Sequence, residues 1–200
     1  PYLEHIESYF NFSLISKADL NVAIDSMAGA GGDFLSKILN RYGVKNKTIF
    51  DTPDEDFCGR LAEPIAKNLL PLSDELKKGN YSIGVATDGD ADRLGVLIEN
   101  GDFLSAQETI LMLADYCKNV KNISGNIVKT SSVTNKLTKY FSHICSVEDV
   151  QVGFKYICEK MISDDVAFGC EESGGFGFKG HIPERDGIFS SLIFIEMLAY

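Results

Sequence analysis

The sequence predicts an α/β protein built from two consecutive units. Short apolar runs rich in β-branched residues alternate with longer amphipathic stretches, which is the pattern of strands and helices taking turns. The pattern restarts after Gly101, and 200 residues suffice for between one and two domains of about 150 residues each. We therefore expect two domains, at residues 1–101 and 102–200, each large enough to bury a core.

The first unit is expected to hold four strands, one clear helix and a proline-containing loop. Apolar runs predict strands at residues 22–24, 48–50, 83–86 and 94–98. Apolar residues from Phe34 onward fall at helical spacing, and a glycine at position 43 supplies the stop. Prolines at positions 53, 64 and 71 indicate a loop around one or two short helices, because proline breaks helix interiors.

In the second unit helices and strands alternate again. An apolar stripe marks the first of its helices. A long glycine-rich loop at residues 171–187 separates the last strand from the last helix. The predicted helices span residues 106–118, 135–141, 154–162 and 188–200, and the predicted strands span residues 127–128, 144–147 and 166–169.

The charge balance excludes some classes of partner. The chain has 19 basic and 29 acidic residues, a net charge of −10, and a pI of about 4.7. Nucleic acid and anionic lipid would repel such a chain, so we expect neither as a partner. An anionic ligand would need a local positive pocket. The mean hydropathy is −0.02, and no apolar run approaches the roughly 18 residues of a membrane-spanning helix.

The five cysteines give no sign of a zinc cluster or a disulfide framework. Their number is odd, they are widely spaced, and none forms a CxxC pair. We therefore expect a reducing, cytoplasmic location. The sequence begins at Pro1 without an initiator methionine or a signal-peptide pattern, which favours a fragment of a longer protein.

The loop between the third and fourth predicted strands carries the clearest chemical signal. Asp88, Asp90 and Asp92 stand at alternate positions with only a glycine and an alanine between them. Three carboxylates on one tight loop would repel one another by about 1 kcal/mol or more per close pair without a cation. Hard oxygen ligands on a cramped loop suit Mg²⁺. The pattern therefore predicts a metal site.

Two other interpretations of this loop have to be weighed. An acidic turn exposed to solvent would show the same composition. A calcium loop of the EF-hand type is a closer competitor, because the three aspartates and Glu99 would occupy its positions 1, 3, 5 and 12. That interpretation fails at position 6, where Arg93 replaces the required glycine, and the flanks indicate strands rather than helices.

A second candidate segment follows the last predicted strand. Glu171 and Ser173 can exchange hydrogen bonds with sugar hydroxyls, and Lys179 or Arg185 could meet a phosphate. A flexible surface loop has a similar composition. The segment gains weight only together with the metal loop.

Several segments together resemble the α-D-phosphohexomutases, the phosphoglucomutase/phosphomannomutase superfamily. TDGDADR at residues 87–93 is similar to the family's metal loop, and EESG at 171–174 to its sugar-recognition loop. Residues 25–31, 59–64 and 152–157 resemble further segments in the family's order. The resemblance implies two mixed-sheet α/β domains: domain II with the metal loop at residues 1–101, and domain III with the sugar loop at 102–200, cut close to its end.

The resemblance also implies an activity and missing parts. Family members transfer a phosphoryl group between C1 and C6 of a hexose phosphate through a hexose 1,6-bisphosphate, with Mg²⁺. The phosphoserine would lie in an absent first domain and a phosphate-binding loop in an absent fourth, so the isolated chain is expected to be inactive. Asp88, Asp90 and Asp92 would bind Mg²⁺, with Arg93 beside them as a catalytic cation.

The remaining site residues implied by the resemblance lie in the second unit. Glu171 and Ser173 would bind the sugar hydroxyls, with Arg185 and His181 as further substrate contacts. Lys155 would be a catalytic cation that handles a proton or faces a phosphate. Each of these three basic residues would otherwise be an ordinary surface or ion-paired side chain.

Three positions bear on sugar choice and loop geometry. Glu172 makes the loop similar to the glucose type, so glucose is the expected sugar. Cys170 stands where the family usually has glycine, and Val150 where it often has threonine, which affects the backbone and one hydroxyl near the loop.

Two other functions remain open from the sequence. Asp88 and Asp90 could be the nucleophile and acid of an aspartyl-phosphate phosphatase, which also places D-x-D after a strand. The chain could also be a non-catalytic module that binds a sugar phosphate or a metal.

Overall fold

The computed structural model describes all residues 1–200 and contains nine strands, eight α-helices, two 3-10 helices (Phe57–Gly59 and Ala66–Asn68) and a π-helical turn (Tyr116–Val120) that continues the fifth α-helix. The strands are β1 (Asn21–Asp25), β2 (Lys45–Ile49), β3 (Ile83–Thr87), β4 (Leu94–Ile98), β5 (Phe103–Leu104), β6 (Asn126–Thr130), β7 (Val147–Val150), β8 (Val166–Cys170) and β9 (Phe176–Phe178). The helices are α1 (Tyr2–Tyr9), α2 (Phe12–Lys17), α3 (Phe34–Arg41), α4 (Leu70–Lys78), α5 (Ala106–Asp115), α6 (Asn135–Phe141), α7 (Phe154–Ser163) and α8 (Gly187–Ala199). No helix combines the length and apolar character needed to cross a membrane.

The first unit comprises Pro1–Leu104 and Gly187–Tyr200 and is built on a five-stranded mixed sheet of order β2-β1-β3-β4-β5. Strand β1 pairs in parallel with both β2 and β3, while β3, β4 and β5 pair antiparallel. Helix α4 packs on β1 and β3, and its leucines join residues of β1, β3 and β4 in a buried apolar cluster. The connection from β3 to β4 is therefore a short loop between two buried strands.

The second unit, Ser105–Asp186, has a four-stranded mixed sheet of order β7-β6-β8-β9. Strand β6 pairs in parallel with β7 and β8, and β9 returns antiparallel to β8. Helix α7 lies close to this sheet because two strand positions are glycines: a Cβ at Gly177 would meet the Met161 sulfur at 2.7 Å, and one at Gly169 would overlap Ile157. The predicted fold class of two mixed-sheet α/β units is thus confirmed.

The last helix packs within the first unit. Helix α8 contacts β3, β4 and α2, and most of its residues are buried, which explains why its sequence is apolar on every face. The two compact units therefore do not coincide with residues 1–101 and 102–200, because residues 187–200 pack with the first unit.

Four elements were not predicted: α1, α2, β5 and β9. The two N-terminal helices are short and depend on α8. The Phe10 and Phe189 rings lie 4.9 Å apart, and the Asn11 amide donates to the Glu196 carboxylate at 2.7 Å. Strands β5 and β9 have only two and three residues, the latter flanked and interrupted by glycines. Such segments lack a periodic signal of their own.

Strand β7 was predicted at residues 144–147 but spans Val147–Val150. The Ile144 and Cys145 amides both donate to the Phe141 carbonyl, at 2.8 and 3.0 Å, so the apolar run closes the end of α6. Backbone groups used in this way cannot enter the sheet, and the strand begins later.

A buried lysine on β6 leads to a stability prediction. The Lys129 side chain is fully buried and its ammonium lies 2.7 Å from the half-exposed Asp149 carboxylate. We expect Asp149→Asn to lower the free energy of unfolding by about 3 kcal/mol, because it leaves a buried charge unpaired. Lys129→Met should cost much less, since Asp149 can be hydrated. Urea unfolding measures both, and equal losses would contradict this asymmetry.

Candidate functional site

The three aspartates predicted to bind a metal are brought together on the β3–β4 loop. Strand β3 ends at Thr87, and the loop turns through Ala91, whose φ of +63° lies in the left-handed region. Carboxylate oxygens of Asp88, Asp90 and Asp92 lie within 4.8 Å of one another. Asp88 is buried, Asp90 exposed and Asp92 intermediate. One side of the cluster is therefore open to solvent and one is held by the protein.

This donor set fits a divalent cation such as Mg²⁺. One Asp88 oxygen, Oδ1, accepts the backbone amides of Asp92 and Arg93 at 2.9 and 3.0 Å, which fixes the carboxylate. Arg93 Nε lies 3.4 Å from Asp88 Oδ2 and 3.8 Å from Asp92 Oδ1. A single guanidinium among three carboxylates leaves an excess of negative charge, and carboxylate oxygens are the ligands that Mg²⁺ prefers. The predicted cation Arg93 thus lies beside the cluster.

The electrostatics of the metal-free loop are unfavourable. Burial raises the pKa of the Asp88 carboxyl, and the negative charge of Asp90 raises it further, against the opposing effect of hydrogen bonding and charge from Arg93. An ionised Asp88 therefore costs stability in the absence of a cation. A bound divalent cation would remove this cost.

We accordingly expect Asp88→Asn to raise the melting temperature of the metal-free chain at pH 7. A raised pKa means that the folded state binds the proton more tightly, so the penalty is complete above the folded pKa and vanishes below the ordinary value of 3.8. Asparagine carries no such penalty, and the advantage should shrink as the pH falls toward 3.8.

Thermal unfolding across pH tests this expectation, with added Mg²⁺ as a second arm. At Mg²⁺ concentrations about 100 times the Kd, the unaltered chain should gain about 2.7 kcal/mol. The Asp88→Asn chain should gain little. A lower melting temperature for this variant at pH 7 without metal would contradict the argument.

A cavity of about 510 Å³ opens beside the metal loop within the first unit. Its lining includes Asp88, Asp90 and Arg93 on one side and the segment 57–63 on the other. This segment was not predicted as part of the site. The only signal was its overlap with residues 59–64, which resemble a family segment, and it lies about thirty residues from the loop in sequence.

The second unit forms the predicted sugar loop immediately after β8. The Glu171 amide donates to the Gly175 carbonyl at 3.1 Å, and Gly174 has a φ of +91°, so the chain reverses into β9. Glu171 Oε1 accepts hydrogen bonds from Ser173 Oγ at 2.5 Å and from Arg185 Nη1 at 3.0 Å. A Cβ at Gly175 would overlap Arg185 and lie 2.8 Å from Glu171 Oε1, so only glycine leaves room for this contact.

Glu172 points to the sheet rather than joining this cluster. Its Oε2 accepts a hydrogen bond from Thr130 Oγ1, at the end of β6, at 2.8 Å. Hydrogen bonds from Ser132 and Thr130 hold the pKa of Glu172 below its usual value, although burial alone would raise it. Cys170 is fully buried on β8, and this burial raises the pKa of its thiol. Thr130 and Ser132 are loop supports that the sequence reasoning missed.

The three basic residues predicted in this unit occupy different environments. The Arg185 guanidinium lies 5.6 Å from the Phe154 ring, at the start of α7, as well as against Glu171. Lys155 is exposed on the first turn of α7, and its ammonium lies 4.7 Å from the Tyr156 ring. The His181 side chain is only 2% exposed, with Nε2 2.9 Å from Asp186 Oδ2. Arg185 therefore joins the Glu171 cluster, whereas the His181 side chain is buried and contacts Asp186.

Two protein-family models match successive parts of the chain. The family model described as phosphoglucomutase/phosphomannomutase, alpha/beta/alpha domain II, matches residues 1–101. The corresponding domain III model matches residues 105–200. Between them the two models cover nearly the whole chain.

Curated relatives and solved structures agree with this match. A phosphoglucomutase/phosphomannomutase of Thermococcus kodakarensis is 30% identical over 200 residues, which is 100% of this chain and 44% of the relative. A phosphoglucosamine mutase of Sulfurovum sp. is 34% identical, again over 100% of this chain and 44% of its own length. A crystal structure of a candidate phosphomannomutase from Thermus thermophilus has a TM-score of 0.94 and 36% identity, covering 99% of this chain and 46% of that one.

A more distant structure shows the fold alone. N-acetylphosphoglucosamine mutase of Aspergillus fumigatus, in complex with GlcNAc-6P and magnesium, has a TM-score of 0.71 at 15% identity, over 99% of this chain and 50% of its own. The present chain thus spans half or less of the length of these proteins. With both family models matched in order, the chain belongs to the phosphoglucomutase/phosphomannomutase family and carries its domains II and III.

Proposed function

We propose that this chain supplies the metal-binding and sugar-recognition parts of a phosphohexomutase. The reaction would be a reversible, Mg²⁺-dependent transfer of a phosphoryl group between C1 and C6 of a hexose phosphate through a hexose 1,6-bisphosphate. The observation that carries the proposal is the convergence of Asp88, Asp90 and Asp92 within 4.8 Å on a loop whose sequence matches domain II of the family.

In this proposal the aspartates of the metal loop bind the cation, and Arg93 supplies a positive charge beside them. Asp88, fixed by two backbone amides, would hold the cation together with Asp90 and Asp92, the two less buried members of the cluster. A bound Mg²⁺ would neutralise charge on the transferring phosphoryl group. Arg93, next to Asp88 and Asp92, adds a fixed positive charge that faces the same region. The cavity beside the loop would admit the phosphate.

The sugar loop is proposed to orient the substrate. Glu171 and Ser173 would bind two sugar hydroxyls, and the hydrogen bond from Arg185 would hold the Glu171 carboxylate in place. Lys155, exposed on the first turn of α7, is proposed to face a phosphate or handle a proton. His181 would contribute by holding the loop through Asp186. Glucose is the proposed sugar, and Glu172 would act on this choice through the shape of the loop.

Turnover in this proposal requires a phosphoserine from the family's first domain, which is not one of the two domains that match. Calorimetry of the 200-residue chain should therefore show Mg²⁺ binding, and glucose 1-phosphate binding in its presence, without mutase activity. The gene product containing this chain should convert glucose 1-phosphate when primed with glucose 1,6-bisphosphate. No Mg²⁺ heat, with or without sugar phosphate, would overturn the metal part.

The aspartyl-phosphate alternative gives a different result in one measurement. A phosphatase of that class would form a covalent phosphate on Asp88 during turnover. Mass spectrometry after acid quenching of the chain with a phosphorylated substrate would detect it. We expect no modification of Asp88, because both of its oxygens are assigned to metal holding and backbone hydrogen bonds.

A further inference from the structure

Two separate segments of the first unit form backbone hydrogen bonds with Gly89, the second residue of the metal loop. We call them the gripping segments. The Gly89 amide donates to the Ala62 carbonyl at 3.1 Å, and the Ala30 amide donates to the Gly89 carbonyl at 2.9 Å. Gly89 lies between Asp88 and Asp90. Any displacement of either gripping segment would therefore change the spacing of two of the three carboxylates.

The gripping segments pack so closely against Gly89 that a displacement of either segment would move the metal loop. A Cβ at Gly29 would lie 2.6 Å from the Gly89 carbonyl oxygen and 2.9 Å from that of Asp88. A Cβ at Gly89 would lie 3.1 Å from the Phe57 ring. The segment at Gly29 therefore packs backbone against backbone on the metal loop, while the Phe57 ring packs against Gly89 from the other segment, so a shift of either segment displaces the loop.

One buried carboxylate is bonded to both gripping segments. Asp25, the last residue of β1, is completely buried. Its Oδ1 accepts the Met27 amide at 2.8 Å, at the start of the segment that leads to Ala30. Its two oxygens also accept from Arg60, at 2.9 Å and 3.1 Å, in the segment that leads to Ala62.

The geometry of both partners makes this carboxylate difficult to replace. Met27 and the following Ala28 have φ of +49° and +54°, a conformation that non-glycine residues adopt only when their surroundings impose it. Arg60 is only 15% exposed, donates also to the Asn68 carbonyl at 3.2 Å, and lies 4.0 Å from the Phe50 ring. Only a planar guanidinium makes all these contacts at once.

We propose that Asp25 and Arg60 are positioning residues for the metal loop, and that their ion pair sets the spacing of Asp88 and Asp90 by fixing the two segments that hold Gly89. The metal part of this inference rests on the proposed Mg²⁺ site. Asp25 and Arg60 do not bind the cation. They act through the Ala30–Gly89 and Ala62–Gly89 hydrogen bonds.

The test uses the 200-residue chain with Mn²⁺ as the probe, since free Mn²⁺ is counted directly by electron paramagnetic resonance. Asp25→Asn keeps the shape but loses the charge, and Arg60→Lys keeps the charge but loses the paired contact. Each should weaken Mn²⁺ binding about 10- to 100-fold, the range seen when groups that orient metal ligands are removed. In the metal-free chain, each should also speed hydrogen exchange of the Gly89 amide.

A destabilised control separates positioning from general loss of stability. Leu39→Ala empties a fully buried core site on α3 and should lower the unfolding midpoint while leaving Mn²⁺ affinity and Gly89 exchange unchanged. If Asp25→Asn does not fold, Arg60→Lys decides. Wild-type affinity and exchange in the folded variants would overturn the inference. Failure of the unaltered chain to bind Mn²⁺ would overturn the proposed metal site, and Gly89 exchange would still decide whether the pair positions the loop.

Discussion

Asp90→Asn is expected to lower the Mg²⁺ affinity of this chain by at least about 100-fold. Removing a group that only orients a ligand already costs 10- to 100-fold, and Asp90 is proposed as a ligand itself. In the gene product that contains this chain, we expect mutase turnover to fall by about 100- to 1000-fold, because charge on the transferring phosphoryl group would be less well neutralised.

Asp90 is the best residue to replace in this test because it is the exposed member of the cluster, so its replacement disturbs the fold least. Its replacement removes one of three repelling charges and should leave the unfolding midpoint of the metal-free chain unchanged or slightly raised. Asp74→Asn, an exposed aspartate on α4, is the matched control and should leave Mg²⁺ binding unaltered. Titration calorimetry measures both variants. Unaltered affinity in Asp90→Asn would exclude Asp90 as a ligand.

The parts of the fold that the sequence predicted are those with their own local signal. Strands β3 and β4 are continuous apolar runs between turn residues, and α6 was predicted with its observed bounds. The elements that escaped prediction owe their structure to distant contacts. Helices α1 and α2 are too short to be stable alone, and they form where Phe10 and Asn11 meet α8.

The same distinction applies to the candidate site. Asp88, Asp90 and Asp92 are nearly adjacent, so their spacing alone predicted that they lie together, and in the structure their carboxylate oxygens are within 4.8 Å of one another. Asp25 and Arg60 lie 35 residues apart and carry no periodic or spacing signal. Only the fold brings that pair together. Such a pair forms only where two distant segments meet at the end of a sheet. Local residue patterns do not show which segments will meet there.

The sugar loop lies between these two cases. Glu171 and Ser173 were predicted as a pair, and the structure joins them through one hydrogen bond. The contact between Glu171 and Arg185 spans 14 residues and requires both the reversal into β9 and the missing side chain at Gly175. The sequence indicated that Lys179 or Arg185 could meet a phosphate, and it did not predict the contact between Arg185 and Glu171. The structure places Lys179 against Asp165 instead.

Glu171→Gln is expected to weaken glucose 1-phosphate binding by about 10- to 100-fold. A hydrogen bond to a charged group contributes about 1.5–3 kcal/mol, and each 1.4 kcal/mol is a factor of ten in affinity. The glutamine amide keeps the shape but is a weaker acceptor for the sugar hydroxyl proposed to bind there. It also presents N–H donors toward Arg185, which cannot accept them.

Calorimetry with glucose 1-phosphate at saturating Mg²⁺ measures this loss, and Glu159→Gln, an exposed glutamate on α7, is the control that should bind normally. Mg²⁺ binding itself should be unchanged in Glu171→Gln, because the three aspartates lie on the β3–β4 loop of the other unit. Loss of sugar phosphate binding with intact Mg²⁺ binding would separate the two roles. Loss of both would mean that the variant has unfolded, and unaltered binding of both would exclude Glu171 as a sugar contact.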